Sequence, residues 1–243
     1  MPASLLASSV GELVAKRPGL SRLFEKLGID YCCGGKRSLE QACLSKGLDT
    51  ATVTALLDDP DGGPDRTDVD VTTMSLTELA NHVEKTHHAY LKREFPRLQP
   101  LIEKLGARHA GDNPKLAQLP YIFSAFRSDM EAHMAKEEQV LFPLVREIDA
   151  AVSDGRCPCG SIENPIRVME IEHQHAGDAL TLMRRVTDDF AVPADGCNTY
   201  RAVMSALTEL ETDMHQHVHK ENNVLFPRAI LMASNRSPDH RVV

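Results

Sequence analysis

One stretch of this chain is written twice. Residues 129–143 read DMEAHMAKEEQVLFP and residues 213–227 read DMHQHVHKENNVLFP, and nine of the fifteen positions are identical. Shared Val, Leu, Phe and Pro are what two helices descended from one hairpin would need for packing. Packing does not explain the shared Asp, His and Glu. These stand at intervals of four, as Asp129, His133 and Glu137 and as Asp213, His217 and Glu221, so in an α-helix each triplet stacks one turn above the next on a single face. Apolar neighbours turn that face inward: Phe126, Met130, Val140 and Leu144 in the first copy, Val203, Leu210, Met214 and Val224 in the second. Two His-x-x-x-Glu pairs therefore meet in one low-dielectric interior. Bare carboxylates there are very unfavourable, and cations relieve them, so the pattern reads as metal binding in preference to a buried ion-pair network.

Helical patterning continues on both sides of the repeat. Ser75 and Glu78 have the spacing of a capping box ahead of Leu76, Leu79, Val83, Tyr90, Leu98, Leu101 and Leu105. A second helix is expected from about residue 120 to 148, a third from an Asn164 cap with Pro165 at the first helical position to about residue 189, and a fourth over about 199–231. Four long amphipathic helices with short polar connections predict an all-α, up-down four-helix bundle over 75–233, with 234–243 a flexible tail. Residues 59–74, rich in Asp, Gly and Pro, read as a linker. Ahead of it, 1–58 forms a small helical domain of three or four helices, with Gly28 as a stop and Ser38 and Gln41 as a capping box.

If the repeat is a true duplication, the other two long helices should each add a ligand. His173 falls with Ile166, Met169, Ala176 and Leu180 on an inward face. On the first helix the choice is between His87 and His88. His173 precedes His217 by 44 residues, while His88 precedes His133 by 45 and His87 by 46; the apolar stripe favours His87, and spacing leaves the two even. Imidazoles and carboxylates without thiolate suit iron or manganese better than structural zinc. Two bridging carboxylates with two histidines on each ion leave positions open for an oxo or hydroxo bridge and a small ligand. Asp129 and Asp213, one turn before each repeated His, either accept from the imidazoles and fix their tautomers or stand solvated; spacing leaves the two readings even.

Composition narrows the function further. Lys and Arg number 27 against 35 Asp and Glu, a formal charge of −8, which disfavours nucleic acid and anionic membranes as partners. No apolar run approaches a membrane span and residues 1–20 lack a secretory pattern, so a cytoplasmic location is expected. The six cysteines are then thiols in a reducing compartment. Cys32 and Cys33 precede the Ser38 helix and are flanked by Lys36 and Arg37, a setting that would lower thiol pKa; adjacent cysteines do not easily bridge each other, which favours transient ligation or redox exchange. Cys157 and Cys159 flank a proline, a weak pattern, and Cys43 and Cys197 read as ordinary thiols. His215 and His219 lie off the ligand face with no counterparts in the first copy, and read as solvated.

The segments EHQHAGD and HVHKENNVLFPRA, with the amino-terminal VGELVAKRPGLSRLFEKLGIDYCCGGKRSLEQAC, resemble the repair-of-iron-centres family: a hemerythrin-like di-iron domain preceded by a small vicinal-cysteine domain. The resemblance implies six ligands to two iron ions, His88, His133, Glu137, His173, His217 and Glu221, with the two glutamates bridging. It settles the tie for His88, because the family's first-helix histidine stands eight residues before a proline, as His88 does before Pro96; His87 takes an aromatic packing position. It also places Glu172 near the site and matches His109 to a histidine beyond the ligands. The implied function is repair of, or iron supply to, iron-sulfur clusters damaged by nitrosative or oxidative stress, with iron-sulfur proteins as recipients and Cys32 and Cys33 in transfer. Rivals at the same irons are reduction of nitric oxide to nitrous oxide, and reversible binding of oxygen or nitric oxide.

Overall fold

The computed structural model describes residues 2–57, 69–111, 113–153, 155–157 and 160–235. Most of the predicted linker, Cys159 and the tail from residue 236 lie outside them. Among the described residues everything regular is helical except two paired two-residue strands, Arg156–Cys157 and Gly160–Ser161. No described helix is long and apolar enough to cross a membrane.

The amino-terminal stretch forms five short helices: α1 (Pro2–Ala7), α2 (Val10–Lys16), α3 (Leu20–Leu27), α4 (Leu39–Lys46) and α5 (Thr50–Leu57). The expectation of three or four is corrected upward. α5, with its run of Thr and Val, is poor in helix formers, but Asp49 caps it by accepting from the Thr52 backbone N–H at 2.8 Å. The expected capping box is present, Gln41 N–H donating to Ser38 Oγ and Ser38 N–H to Gln41 Oε1. Gly28 ends α3 in the left-handed conformation at φ 66°, where a side chain would be strained. Val10, Val14, Phe24, Leu39, Cys43 and Leu57 form the core of this part.

Four helical rods follow, three of them broken by one wide turn. The first is α6 (Leu76–Val83), a π turn at Glu84–His88 and α7 (Ala89–His109); the second is α8 (Leu119–Lys136), a π turn at Glu137–Leu141 and α9 (Phe142–Asp149). The third, α10 (Glu163–Val186), is uninterrupted, and the fourth is α11 (Asn198–Lys220), a π turn at Glu221–Leu225 and α12 (Phe226–Ser234). In the π turns the backbone N–H of Ala89, Phe142 and Phe226 reaches five residues back, to the carbonyls of Glu84, Glu137 and Glu221. Pro143 and Pro227 come next in the repeated copies. Each lacks an N–H and would press its ring on the carbonyl four residues back in a regular helix; the widened turn relieves both problems.

Each π turn inserts one residue and rotates the rest of its rod. The buried stripe Leu76, Leu79, Val83, His87 resumes as His88, Leu91, Phe95, Leu98, Ile102, Leu105. Leu101, expected inside, gives way to Ile102, and Val140, also expected inside, is 54% exposed while Leu141 is buried. The third rod begins at Glu163, and Asn164 does not cap it; its side chain accepts from Arg167 at 3.4 Å instead.

By contact the chain divides into two compact units. The first comprises Met1–Ala80, Val145–Cys157 and His215–Val243. Here α2 packs on the π turn Glu221–Leu225, the Thr77 N–H donates to Asp149 Oδ2 at 3.0 Å, and Arg228 donates to the Met74 carbonyl at 2.6 Å. The second comprises Asn81–Leu144 and Pro158–Met214. In it α8 packs against α7 and α10, Phe95 meets Phe123 and Phe126 edge-on, and a two-pronged bond from Arg184 to Glu211 ties α10 to α11.

Candidate metal centre

The six residues expected as ligands, His88, His133, Glu137, His173, His217 and Glu221, are all buried, none more than 1% exposed. Within the second unit, one oxygen of Glu137, Oε2, lies 3.3 Å from His88 Nε2 and 3.3 Å from His133 Nε2. His133 Nε2 is also 3.1 Å from His173 Nε2. Within the first unit His217 Nε2 is 3.1 Å from Glu221 Oε1. In the second unit donor atoms of His133, Glu137 and His173 lie within 4.8 Å of one another, as do those of His88 and Glu137, and in the first unit so do those of His217 and Glu221. These His/Glu groups fit a metal site.

The hydrogen bonds on the outer edge of the rings decide what the inner edge presents. His88 Nδ1 bonds to Glu138 Oε1 at 2.8 Å and His133 Nδ1 to Glu172 Oε2 at 3.0 Å. A carboxylate only accepts, so each Nδ1 carries a proton, and in the neutral ring Nε2 presents its lone pair inward. In that neutral form two lone pairs face one carboxylate oxygen at 3.3 Å each. That arrangement is repulsive in a buried site unless a cation stands among them, so the residues present fit a metal.

The outer carboxylates are themselves anchored. Lys92 Nζ donates to both oxygens of Glu138, at 2.6 and 2.7 Å, and Lys136 pairs with Glu172. Burial pushes the Glu138 carboxyl up, but the bonds from Lys92 and His88 outweigh it and hold it below its ordinary value. Glu172 is held well below the usual carboxylate range, first by the His133 bond and, against burial, by Lys136. Both acceptors remain ionised at neutral pH and hold the imidazoles in the tautomer that ligates.

Three expectations around the centre need correction. Asp129 is exposed and stands beside a cavity together with His133 and Glu172; the acceptor for His133 is Glu172, which reaches across from α10. Asp213 bonds His87 Nδ1 at 2.8 Å and serves that ring. His87 is buried next to His88 and meets His82 edge-on at 6.2 Å; the π turn brings both adjacent rings inside. His109 stands at the end of α7, where its Nε2 is 3.7 Å from Cys197 Sγ. Sequence reasoning missed Glu138, Lys92 and Lys136, which act on neighbouring rods.

The vicinal cysteines also differ from expectation. Cys32 is buried and Cys33 half-buried. Asp30 organises the turn, its carboxylate accepting from the backbone N–H of Cys32, Cys33 and Gly34 at 3.1, 3.0 and 2.9 Å and from the Cys32 thiol at 3.2 Å. The Cys32 thiol is raised, first by its hydrogen bond with Cys33, then by burial and the Asp30 charge. The flanking Lys36 and Arg37 do not bring it down. Asp30, Cys32 and Cys33 themselves form a possible ligand group. His219, read as solvated, is buried against this loop: it meets the Tyr31 ring at 5.4 Å and its Nδ1 lies 3.3 Å from the Tyr31 carbonyl. Asn223 donates to the carbonyls of Tyr31 and Cys32 at 3.2 and 2.9 Å.

Comparison with known proteins agrees with this geometry. Residues 79–229 match the hemerythrin HHE cation binding domain, and residues 6–61 match a domain of unknown function, DUF542. The chain is 36% identical over 221 residues to the iron-sulfur cluster repair protein YtfE of Enterobacter sp. (strain 638), covering 91% of this chain and 96% of that protein. It is 34% identical over 222 residues to YtfE of Escherichia coli O157:H7, covering 91% and 96%. With a probable iron-sulfur cluster repair protein of Haemophilus influenzae it shares 32% over 233 residues, covering 93% and 98%.

Proposed function

The chain belongs to the family of iron-sulfur cluster repair proteins that join a DUF542 domain to a hemerythrin HHE domain, and from that membership we propose that it restores damaged iron-sulfur clusters using iron held at the His/Glu centre. The ligands proposed are His88, His133, His173 and His217 with Glu137 and Glu221 bridging two non-haem iron ions. The observation that carries this reading is the single oxygen of Glu137 facing two imidazole nitrogens, His88 Nε2 and His133 Nε2, at 3.3 Å each. Bound iron supplies an exchangeable cation and a site for small ligands.

The chain's own residues do the rest. Glu138 and Glu172 hold the Nδ1 protons of His88 and His133 and so turn Nε2 toward the proposed metal, and Lys92 and Lys136 keep those carboxylates ionised. Protonation of an imidazole removes a donor, which gives the protein a way to loosen its cargo. Cys32 and Cys33, with Asp30, are the proposed relay to a recipient iron-sulfur protein. Burial and a raised pKa keep the Cys32 thiol protonated until its loop is disturbed, so transfer would begin on contact with a partner.

A second reading, reduction of nitric oxide to nitrous oxide, is favoured by one feature. A cavity of about 180 Å³ lined by Phe126, Met130, His133, Glu172 and Ala176 leads to His133 and admits a diatomic gas.

Metal analysis and Mössbauer spectroscopy on protein purified without added metal should find about two high-spin irons per chain. The iron-loaded protein should then reactivate a cluster enzyme inactivated by nitric oxide, and Cys32→Ser with Cys33→Ser should impair reactivation while leaving iron content unchanged. Failure to reactivate, with stoichiometric nitrous oxide from the reduced protein, would replace repair with the enzyme. Less than about one iron per chain would remove the basis of both.

A further inference from the structure

The segment between α10 and α11 passes through three successive left-handed residues, Asp188, Asp189 and Phe190, with φ of 50°, 60° and 59°, and helps enclose a cavity of about 360 Å³. His109, Asp188, Asp195, Gly196 and Tyr200 are among its walls. Cys197 follows Gly196, is half-buried, and holds its sulfur 3.7 Å from His109 Nε2. The Tyr200 ring meets the imidazole edge-on at 5.4 Å and 80°, which fixes its orientation toward the thiol. The Cys197 carbonyl accepts the first helical bond of α11, from Arg201 at 3.0 Å. His109 first, and then the backbone N–H groups of Tyr200 and Thr199, bring the thiol down to about 7. Nothing in the proposed iron chemistry uses this pair.

We propose that Cys197 and His109 form a thiol–imidazole pair that exchanges with small amine-bearing disulfides drawn into the adjoining cavity, so that Cys197 is a site of reversible mixed-disulfide modification. The thiol proton passes to His109 Nε2, and the Cys197 sulfur attacks one sulfur of the disulfide. A new S–S bond forms as the old one breaks, and the departing thiolate takes the proton from His109 and leaves as a thiol. Cys197 is oxidised to the mixed disulfide, the small disulfide supplies the oxidising equivalent, and no further reactant is needed. The preference for amines follows from charge. Asp188 and Asp195 line the cavity, and only Asp188 has a cationic partner among the described contacts, Lys115 at 3.1 Å. A carboxylate-bearing disulfide meets net negative charge there.

The test treats the full-length, metal-loaded protein with cystamine or with 3,3′-dithiodipropionate and follows each cysteine by mass spectrometry. Cystamine should modify Cys197 at least about tenfold faster than Cys33, Cys43 or Cys197 itself after unfolding in urea. The diacid should react about tenfold more slowly than cystamine at low salt, a gap that narrows at high salt. His109→Gln should slow Cys197 about tenfold without altering Cys33, and Asp195→Asn should narrow the cystamine preference while leaving the pair intact. A Cys197 rate equal to its urea-unfolded rate overturns the proposal, a comparison that needs no variant. Equal rates for the two disulfides overturn the assignment to amine-bearing partners.

Discussion

The two rings whose outer contacts are resolved, His88 and His133, give Nδ1 to carboxylates on other rods, Glu138 and Glu172. Such partners fix the ring and raise its basicity, and losing one typically weakens metal binding by about 10–100-fold. Glu172→Ala should therefore lower iron affinity by roughly that factor in competition with a chelator, whereas Asp129→Ala, which removes an exposed side chain, should leave it within about twofold. Equal losses would restore Asp129 as the acceptor. The repeat made the ligands themselves readable, because identical polar residues on a buried face have no packing reason to persist. Glu138 was not readable. It follows a ligand directly and so points about 100° away from it on the helix; only the rod that carries His88 gives it a role. The same is true of His219, whose place in the first copy is taken by Ala135. Where two copies of a motif diverge, each meets a different neighbour.

At the scale of elements, rod lengths and caps were legible and the π turns were not. Periodicity assumes 3.6 residues per turn throughout, and a single inserted residue defeats it from that point on. That is why spacing left His87 and His88 even: the stripe before the turn ends at His87, the stripe after it begins at His88, and both are buried. Val140 and Leu141 test the shift directly. Val140→Gln should change urea-unfolding stability by no more than about 0.5 kcal/mol, while Leu141→Ala should cost about 2–5 kcal/mol; a regular helix predicts the reverse order. The cap on α6 makes a pH prediction. Burial raises the Asp149 carboxyl, but bonds from Thr77, Ser75 and Leu76 outweigh it and leave the folded pKa below the ordinary aspartate value. A lowered folded pKa gives stability that is present above the unfolded value and is lost as pH falls through the folded one. Asp149→Ala should therefore destabilise by about 1 kcal/mol near pH 7, roughly 2–4 °C in Tm. The gap between variant and parent should close as pH is lowered well below 4. A gap that persists in acid would mean that the ionised cap is not its cause.

For the whole molecule, the sequence suggested an amino-terminal domain, a linker and a bundle as successive pieces, while contacts place 215–243 in one compact unit with the amino-terminal helices. Long-range pairing of this kind leaves no local signature, although Asn222 and Asn223, where the first copy has Glu138 and Gln139, mark the place. Asn223 joins the two segments. Its amide holds two carbonyls of the vicinal-cysteine loop, and it fits only because Gly11 and Gly35 have no side chains. A Cβ on Gly11 would stand 2.4 Å from Asn223 Oδ1, with the Gly35 carbonyl at 3.0 Å; a Cβ on Gly35 would stand 2.2 Å from Asn223 Oδ1 and 2.6 Å from the Tyr31 carbonyl. The two glycines should therefore behave differently in double variants. Gly11→Ala collides mainly with a side chain, so adding Asn223→Ala should recover much of the loss, a coupling of about 1–3 kcal/mol in a thermodynamic cycle. Gly35→Ala also collides with backbone, which cannot swing aside, and Asn223→Ala should recover little of it. Thermal unfolding of the five variants, three single and two double, and of the parent measures both couplings. Equal rescue at the two glycines would show that the loop adjusts around either methyl group and that Asn223 does not fix its position.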